Sequence, residues 1–165
     1  MTDPYRVCVV CSGNICRSPM GEVVLREKLD RAGLGDRVEV DSAGTGDWHV
    51  GLGADPRTVR ALADGGYDGS AHRARQFEDA WLADRDLVLV ADEGHLAAVR
   101  RLAEGGDVTH VRLLRSFDPA AVEAGTLETD DPYYGDEAGF ARCLREVEAA
   151  CDGVVEFIAA ELDQR

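Results

Sequence analysis

Four short runs of β-branched and aliphatic residues punctuate the chain, with stretches of helical character between and after them. They are Arg6-Val7-Cys8-Val9-Val10, Val38-Glu39-Val40-Asp41-Ser42, Leu87-Val88-Leu89-Val90-Ala91 and residues 108–113. Runs of this kind read as strands, and the first and third read as strands buried on both faces. Strands that alternate with helices imply an α/β fold, a parallel sheet with helices on both faces. The 165 residues suit a single domain, 1–165, with one core. In such folds ligands bind beyond the carboxyl ends of the strands. Residues 11–18 occupy that place after the first strand.

The helices are read from their boundaries. Ser18-Pro19 opens the first, with Ser18 as N-cap, Pro19 in the first helical position and Glu22 in the first turn. It runs to about Ala32 and stops at Gly33. Asp55-Pro56 starts a second, ending near Gly65-Gly66. Segments 77–83 and 93–102 read as further helices. From Asp136 to Leu162 the residues Phe140, Leu144, Val147, Val154, Val155, Ile158 and Leu162 recur at helical spacing. They predict a long C-terminal helix interrupted at Asp152-Gly153.

Charge and cysteine usage narrow the function. The net charge of −14 repels nucleic acid and anionic membrane, so neither is expected as a partner. No apolar run approaches the ~18 residues of a membrane span. Residues 1–6 carry neither a basic nor an apolar leader segment, so the expected location is cytoplasmic. The five cysteines, Cys8, Cys11, Cys16, Cys143 and Cys151, are odd in number and include no C-x-x-C pair. A secreted disulfide framework and a zinc site are both disfavoured, and no metal or cofactor is expected. A reactive thiol is the reading left.

The segment that carries chemistry is Cys11-Ser12-Gly13-Asn14-Ile15-Cys16-Arg17-Ser18. It leaves a strand, contains a glycine and opens a helix. Backbone N–H groups in such a loop converge on an anion, and the helix N-terminus adds partial positive charge. Arg17 can add two parallel charged hydrogen bonds to phosphate oxygens. The cradle suits a dianionic phosphoryl group and equally a thiolate beneath it. Ionising a thiol fully near neutrality takes about 4 kcal/mol. A helix terminus alone supplies about 0.3–2 kcal/mol. The loop amides, the Ser18 hydroxyl and Arg17 must therefore act together on Cys11. Cys16 is either a partner for a reversible disulfide with Cys11 or a plain buried thiol. Asn14 either adopts a left-handed conformation and holds the loop by its amide, or is an ordinary turn residue.

A thiolate attacking phosphorus must expel the leaving oxygen, which calls for an acid on the opposite side. Thr129-Asp130-Asp131-Pro132-Tyr133-Tyr134-Gly135 is the best candidate segment. Pro132 stiffens the chain beside Asp131. The neighbouring Asp130 carboxylate is expected to favour a proton on Asp131 by like-charge repulsion. Tyr133, Tyr134 and Trp48 are candidate walls for an aromatic substrate. His72 and Ser42 read as structural supports of the loop, and Asp92, at a strand end, as a group that orients arginine near the pocket.

These segments resemble the low-molecular-weight protein tyrosine phosphatases over nearly the whole chain. The resemblance lies in Val9-Val10-Cys11-Ser12-Gly13-Asn14-Ile15-Cys16-Arg17-Ser18-Pro19-Met20, Ser42-Ala43-Gly44-Thr45, Asp47-Trp48, Asp55-Pro56-Arg57, His72-Arg73-Ala74-Arg75-Gln76 and Asp131-Pro132-Tyr133-Tyr134-Gly135. It implies a four-stranded parallel sheet and a metal-free, two-step reaction on phosphotyrosine. Cys11 would be the nucleophile, Arg17 and the loop amides would hold the equatorial oxygens, and Asp131 would act as acid and then base. Ser12, Gly13, Asn14, Ile15, Cys16 and Ser18 would complete the phosphate loop. Tyrosine-phosphorylated proteins are the implied partners of a monomeric chain. His49, Leu52 and His95 depart from residues common in that family and bear on substrate preference. Two competing readings stay open: an arsenate reductase on the same scaffold, and a phosphate-binding module without catalysis. The first needs relay thiols close to Cys11, whereas Cys143 and Cys151 read as core residues of the last helix.

Overall fold

A computed structural model describes residues 3–165. Four parallel strands form one sheet: β1 (Tyr5–Cys11), β2 (Val38–Gly44), β3 (Leu87–Val90) and β4 (Val111–Leu113), in the order β2-β1-β3-β4. Among the described residues six α-helices accompany them: α1 (Arg17–Arg31), α2 (Pro56–Asp64), α3 (Trp81–Asp84), α4 (Glu93–Leu102), α5 (Pro119–Ala124) and α6 (Glu137–Asp163). The central strands alternate their side chains between two cores. Val7, Val9, Leu87 and Leu89 join Met20, Val24 and Leu25 of α1 and the inner face of α6. Cys8, Val10, Val88 and Val90 join Leu82 of α3 and Leu96 and Val99 of α4 on the other side.

The strand order sets the site. From β1 the chain goes outward to β2, then returns to place β3 on the other flank of β1. The loops after β1 and β3 therefore diverge at the switch point, where open α/β sheets form their binding crevice. Residues 12–16 and Asp92 sit in those two loops.

Several predicted boundaries move. Ser18 does not cap α1: the N-cap position is Cys16, with no side-chain cap bond, and the Ser18 hydroxyl turns to Cys11 instead. Glu22 lies beyond the first turn and bonds Arg26 and the Ser42 hydroxyl. β2 continues two residues past Ser42, and the short helix starts at Trp81, not Phe77, because Phe77 N–H pairs with Gly44 in extended backbone. β4 is confined to 111–113, and α5, capped by the Asp118 side chain, lies outside the expected elements. α6 runs without a break through Asp152-Gly153. The glycine is there for space: a Cβ at 153 would stand 1.8 Å from the Phe117 carbonyl oxygen. Among the described residues no helix is long and apolar enough to cross a membrane.

Candidate active site

The loop after β1 is held by its carbonyls. Thr45 N–H donates to Cys11 O (2.9 Å), Gly46 N–H to Ser12 O (3.0 Å), Asp55 N–H to Ile15 O (2.9 Å) and Met20 N–H to Cys16 O (3.3 Å). His72 Nε2–H donates to Asn14 O at 2.7 Å. Burial lowers the His72 pKa, against the Asn14 carbonyl and Glu22, so the ring sits there neutral. Among the described residues no protein group accepts from the amides of residues 13–17. Unpartnered amides at a helix start are an anion site. The end of β2 must lie close to build it: a Cβ on Gly44 would meet Ser12 O at 2.6 Å.

Asn14 organises the thiol from behind. It is wholly buried, and its φ of 58° is the left-handed conformation expected of one of its two readings. Its Oδ1 accepts from Arg75 N (2.9 Å), which assigns Nδ2 as donor to Ser18 Oγ (2.7 Å) and Ser42 Oγ (2.9 Å). Ser42 O–H in turn donates a hydrogen bond to the Glu22 carboxylate. With its oxygen accepting from Asn14, Ser18 has its hydroxyl hydrogen available for Cys11 Sγ at 3.0 Å. Ser18 N–H points at the same sulfur from 3.4 Å. Two lines of donated hydrogen bonds thus diverge from the Asn14 amide, one ending on Glu22 and the other on the Cys11 sulfur.

Arg17 faces the loop from the start of α1 and is 5% exposed. Nη1 donates to Asp92 Oδ2 and to the Thr129 carbonyl, both at 3.0 Å. Nη2 lies 3.6 Å from Asp131 Oδ2. Asp92 orients Arg17 as expected. Asp131 caps the short 3₁₀ turn Pro132–Tyr134 by accepting from Tyr133 N–H at 3.1 Å. Asp130 does not support it: its carboxylate is exposed and turned toward Arg142 at 3.5 Å, so solvent and a cation screen the expected repulsion.

Cys11, Ser12, Gly13, Ile15, Cys16 and Arg17 floor a cavity of about 520 Å³, with Asp131 on its rim. Trp48 (69% exposed), Tyr133 and Tyr134 (89% exposed) form aromatic walls. Asn14 and Ser18 stand behind the floor. A larger cleft of about 740 Å³ runs along the edge of β2, but its arginines are already paired. Arg85 and Arg75 hold Asp41, Arg6 holds Asp84 and Glu39, and no thiol lines it. The chemistry belongs to the smaller cavity.

The remaining thiols are unsuited to a relay. All five cysteines are free and buried. Burial pushes Cys16, Cys143 and Cys151 up to about 12, which keeps them protonated. Cys143 and Cys151 sit in the α6 core, as predicted.

Three residues named in the sequence, two of them as departures from the family pattern, make contacts in the site that the sequence did not foretell. His49 packs on Gly13 and lines the cavity. His95 bonds Ser12 Oγ at 2.7 Å. Arg57 forks onto Asp55 (2.9 and 3.1 Å) and lies over the Tyr133 and Phe140 rings at 5.4 and 4.5 Å. It thereby ties the Asp131 segment to the residue that bonds Ile15. The local sign of one of these contacts was the spacing of Asp92 and His95, three residues apart at a helix start.

Comparison with known proteins places the chain among phosphatases of its own size. Residues 6–164 match the family model described as low molecular weight phosphotyrosine protein phosphatase. The low molecular weight protein-tyrosine-phosphatase of Streptomyces coelicolor is 56% identical over 162 residues, covering 98% of both chains. Low molecular weight protein-tyrosine phosphatase A of Mycobacterium tuberculosis is 44% identical, covering 98% of this chain and 96% of its own. The crystal structure of a protein tyrosine phosphatase from Entamoeba histolytica with Hepes in the active site superposes with a TM-score of 0.86 at 27% identity, covering 98% of this chain and 99% of that one. Sequence and fold agree, and the chain belongs to the low molecular weight phosphotyrosine protein phosphatase family.

Proposed function

We propose that the chain dephosphorylates tyrosine-phosphorylated proteins, and small aryl phosphates, through a phosphocysteine on Cys11. The phosphoryl group enters the loop with its equatorial oxygens on the amides of residues 13–17 and on Arg17. Cys11 Sγ attacks phosphorus in line while the P–O bond to the aryl group breaks. Asp131 gives its proton to the departing oxygen, a contribution of about 10²–10⁴ in rate. Water then attacks the phosphocysteine, Asp131 takes its proton, and the P–S bond breaks. Ser18 O–H and N–H stabilise the sulfur as leaving thiolate. Trp48, Tyr133 and Tyr134 flank the substrate ring, a selection for aryl over alkyl esters. Asp92 and Thr129 hold one edge of Arg17, so the guanidinium needs little reordering on binding.

The observation that carries this reading is the Ser18–Cys11 contact at 3.0 Å beneath the free amides, with the Arg17–Asp131 pair at 3.6 Å above. A binding module needs the amides but not a donor aimed at a sulfur. The reaction is assigned to a single domain acting as a monomer in the cytoplasm. The deciding experiment is hydrolysis of an aryl phosphate by the parent and by Cys11→Ser, with vanadate as competitor and no thiol-recycling partner. Turnover by the parent alone, inhibited by vanadate, is expected. Arsenate reduction with thioredoxin and no phosphatase activity would overturn the reading.

A further inference from the structure

One more titratable side chain reaches the loop. His95, in the first turn of α4, is 5% exposed. Its Nε2 lies 2.7 Å from Ser12 Oγ, on the residue directly after Cys11. Its Nδ1 lies 3.1 Å from Asp92 Oδ1, but out of line, so it is a buried polar atom without a hydrogen bond. Asp92 Oδ2 in turn holds Arg17 Nη1 at 3.0 Å. Ser12, His95, Asp92 and Arg17 form a continuous line along one side of the phosphate loop.

The charges around that line are unevenly supplied. Among the described residues Arg17 is the one lysine or arginine in the cavity wall, and it already faces two carboxylates, Asp92 and Asp131. The His95 ring feels Asp92 from its own helix start, Arg17 from α1, and Asp131 and Glu128 from the segment before α6. A dianion in the loop adds two negative charges within reach of the Ser12 hydroxyl.

We propose that His95 is a positioning residue whose ring takes up a proton from solvent when a dianionic oxyanion or phosphomonoester settles in the loop. With the ring neutral, Ser12 O–H donates to Nε2 and Nδ1–H faces Asp92. With the ring protonated, Nε2–H donates to Ser12 Oγ, and the Ser12 hydroxyl hydrogen turns to the anion. The proton comes from water, and no bond of the ligand is made or broken. Burial, joined by the Arg17 charge, holds the free ring below the ordinary histidine range, against Asp92, Asp131 and Glu128. An adjacent dianion reverses that balance, since an opposite charge favours the charged form. The inference rests on the phosphate-binding reading of the loop.

Sulfate is the probe, because it keeps both charges over the range used and cannot supply or take the proton itself. Calorimetric titration in buffers of different ionisation enthalpy counts the protons, with Cys11→Ser protein so that the thiol contributes none. Uptake of about half to one proton per sulfate is expected just below pH 6.5, so affinity rises about three- to tenfold per pH unit of acidification. Cys11→Ser/His95→Gln, whose amide can still bond Ser12, should bind sulfate with far less uptake and a flatter pH dependence. On the parent protein, the His95 Cε1–H resonance should titrate at higher pH with sulfate than without. Equal uptake in the His95→Gln protein, or a ring titration that sulfate does not move, would overturn the assignment. If sulfate failed to bind the loop at all, the anion-cradle reading would fall, and this inference with it.

Discussion

Replacing Asn14 by alanine tests whether the thiol is organised from behind the loop. The substitution removes the acceptor of Arg75 N–H and the donor to the Ser18 and Ser42 hydroxyls, all in a wholly buried position. Lost bonds cost about 0.5–1.5 kcal/mol each, and an orphaned buried donor about 1–3 kcal/mol. Alanine at a φ of 58° adds about 1–2 kcal/mol of left-handed strain. With two lost hydroxyl bonds, the orphaned Arg75 N–H and the strain, the total is about 3–8 kcal/mol, a large part of the ~5–15 kcal/mol a domain of this kind possesses. Asn14→Gly removes the same bonds without the strain and should recover about 1 kcal/mol. Both variants release the Ser18 hydroxyl from its orientation. A hydrogen bond to a charged group is worth about 1.5–3 kcal/mol, so kcat should fall about 10- to 100-fold in each. Urea unfolding gives the stability, and p-nitrophenyl phosphate kinetics give kcat and KM. Destabilisation below about 1 kcal/mol with kcat within about twofold of the parent would refute the claim that this amide directs the sulfur's donor.

Asp131→Asn should lose about 10²–10⁴ in kcat for phenyl phosphate and much less for esters of acidic phenols, which leave without a proton; equal losses across leaving groups would remove Asp131 as the acid. Arg57→Leu should show the same leaving-group signature in weaker form, about tenfold, because it frees the Tyr133 side of the Asp131 segment from Asp55 and Phe140. Gly153→Ala should destabilise by about 1–3 kcal/mol without changing KM, since its Cβ would stand 1.8 Å from Phe117 O; neutral urea midpoints would contradict the close packing. Burial lowers the pKa of both His72 and His95, so the unfolded chain takes protons the folded one refuses. Stability should be full above about pH 6.5 and decline as pH falls below it. His72→Gln should flatten that decline in urea midpoints measured from pH 7.5 to pH 5.

Much of the site was legible because its parts are local. Cys11, Arg17 and Ser18 share eight consecutive residues between a strand and a helix, and the covalent spacing alone brings their backbone to one turn. The error over Ser18 has the same origin. A serine before proline at a helix start has the pattern of an N-cap, but Asn14 and the sulfur compete for its hydroxyl and win. Gly153 misled for the opposite reason: glycine breaks an isolated helix, yet here the approach of Phe117 requires it inside one. Asp130 was misjudged because a carboxylate next in sequence need not point the same way, and Arg142 draws it outward.

The α/β class, the place of the phosphate loop and the chemical types of nucleophile, clamp and acid all follow from the sequence, since strand length, helix signals and loop composition act over neighbouring residues. Tertiary structure alone decided which distant groups complete the site. Asp92, His95, Thr129 and Asp131 reach Arg17 and Ser12 across more than seventy residues only because β3 pairs with β1 and the segment before α6 returns over the switch point. Hydrogen bonds and ion pairs depend on separations of a few ångströms, and these are settled by strand order and packing, which no local pattern records.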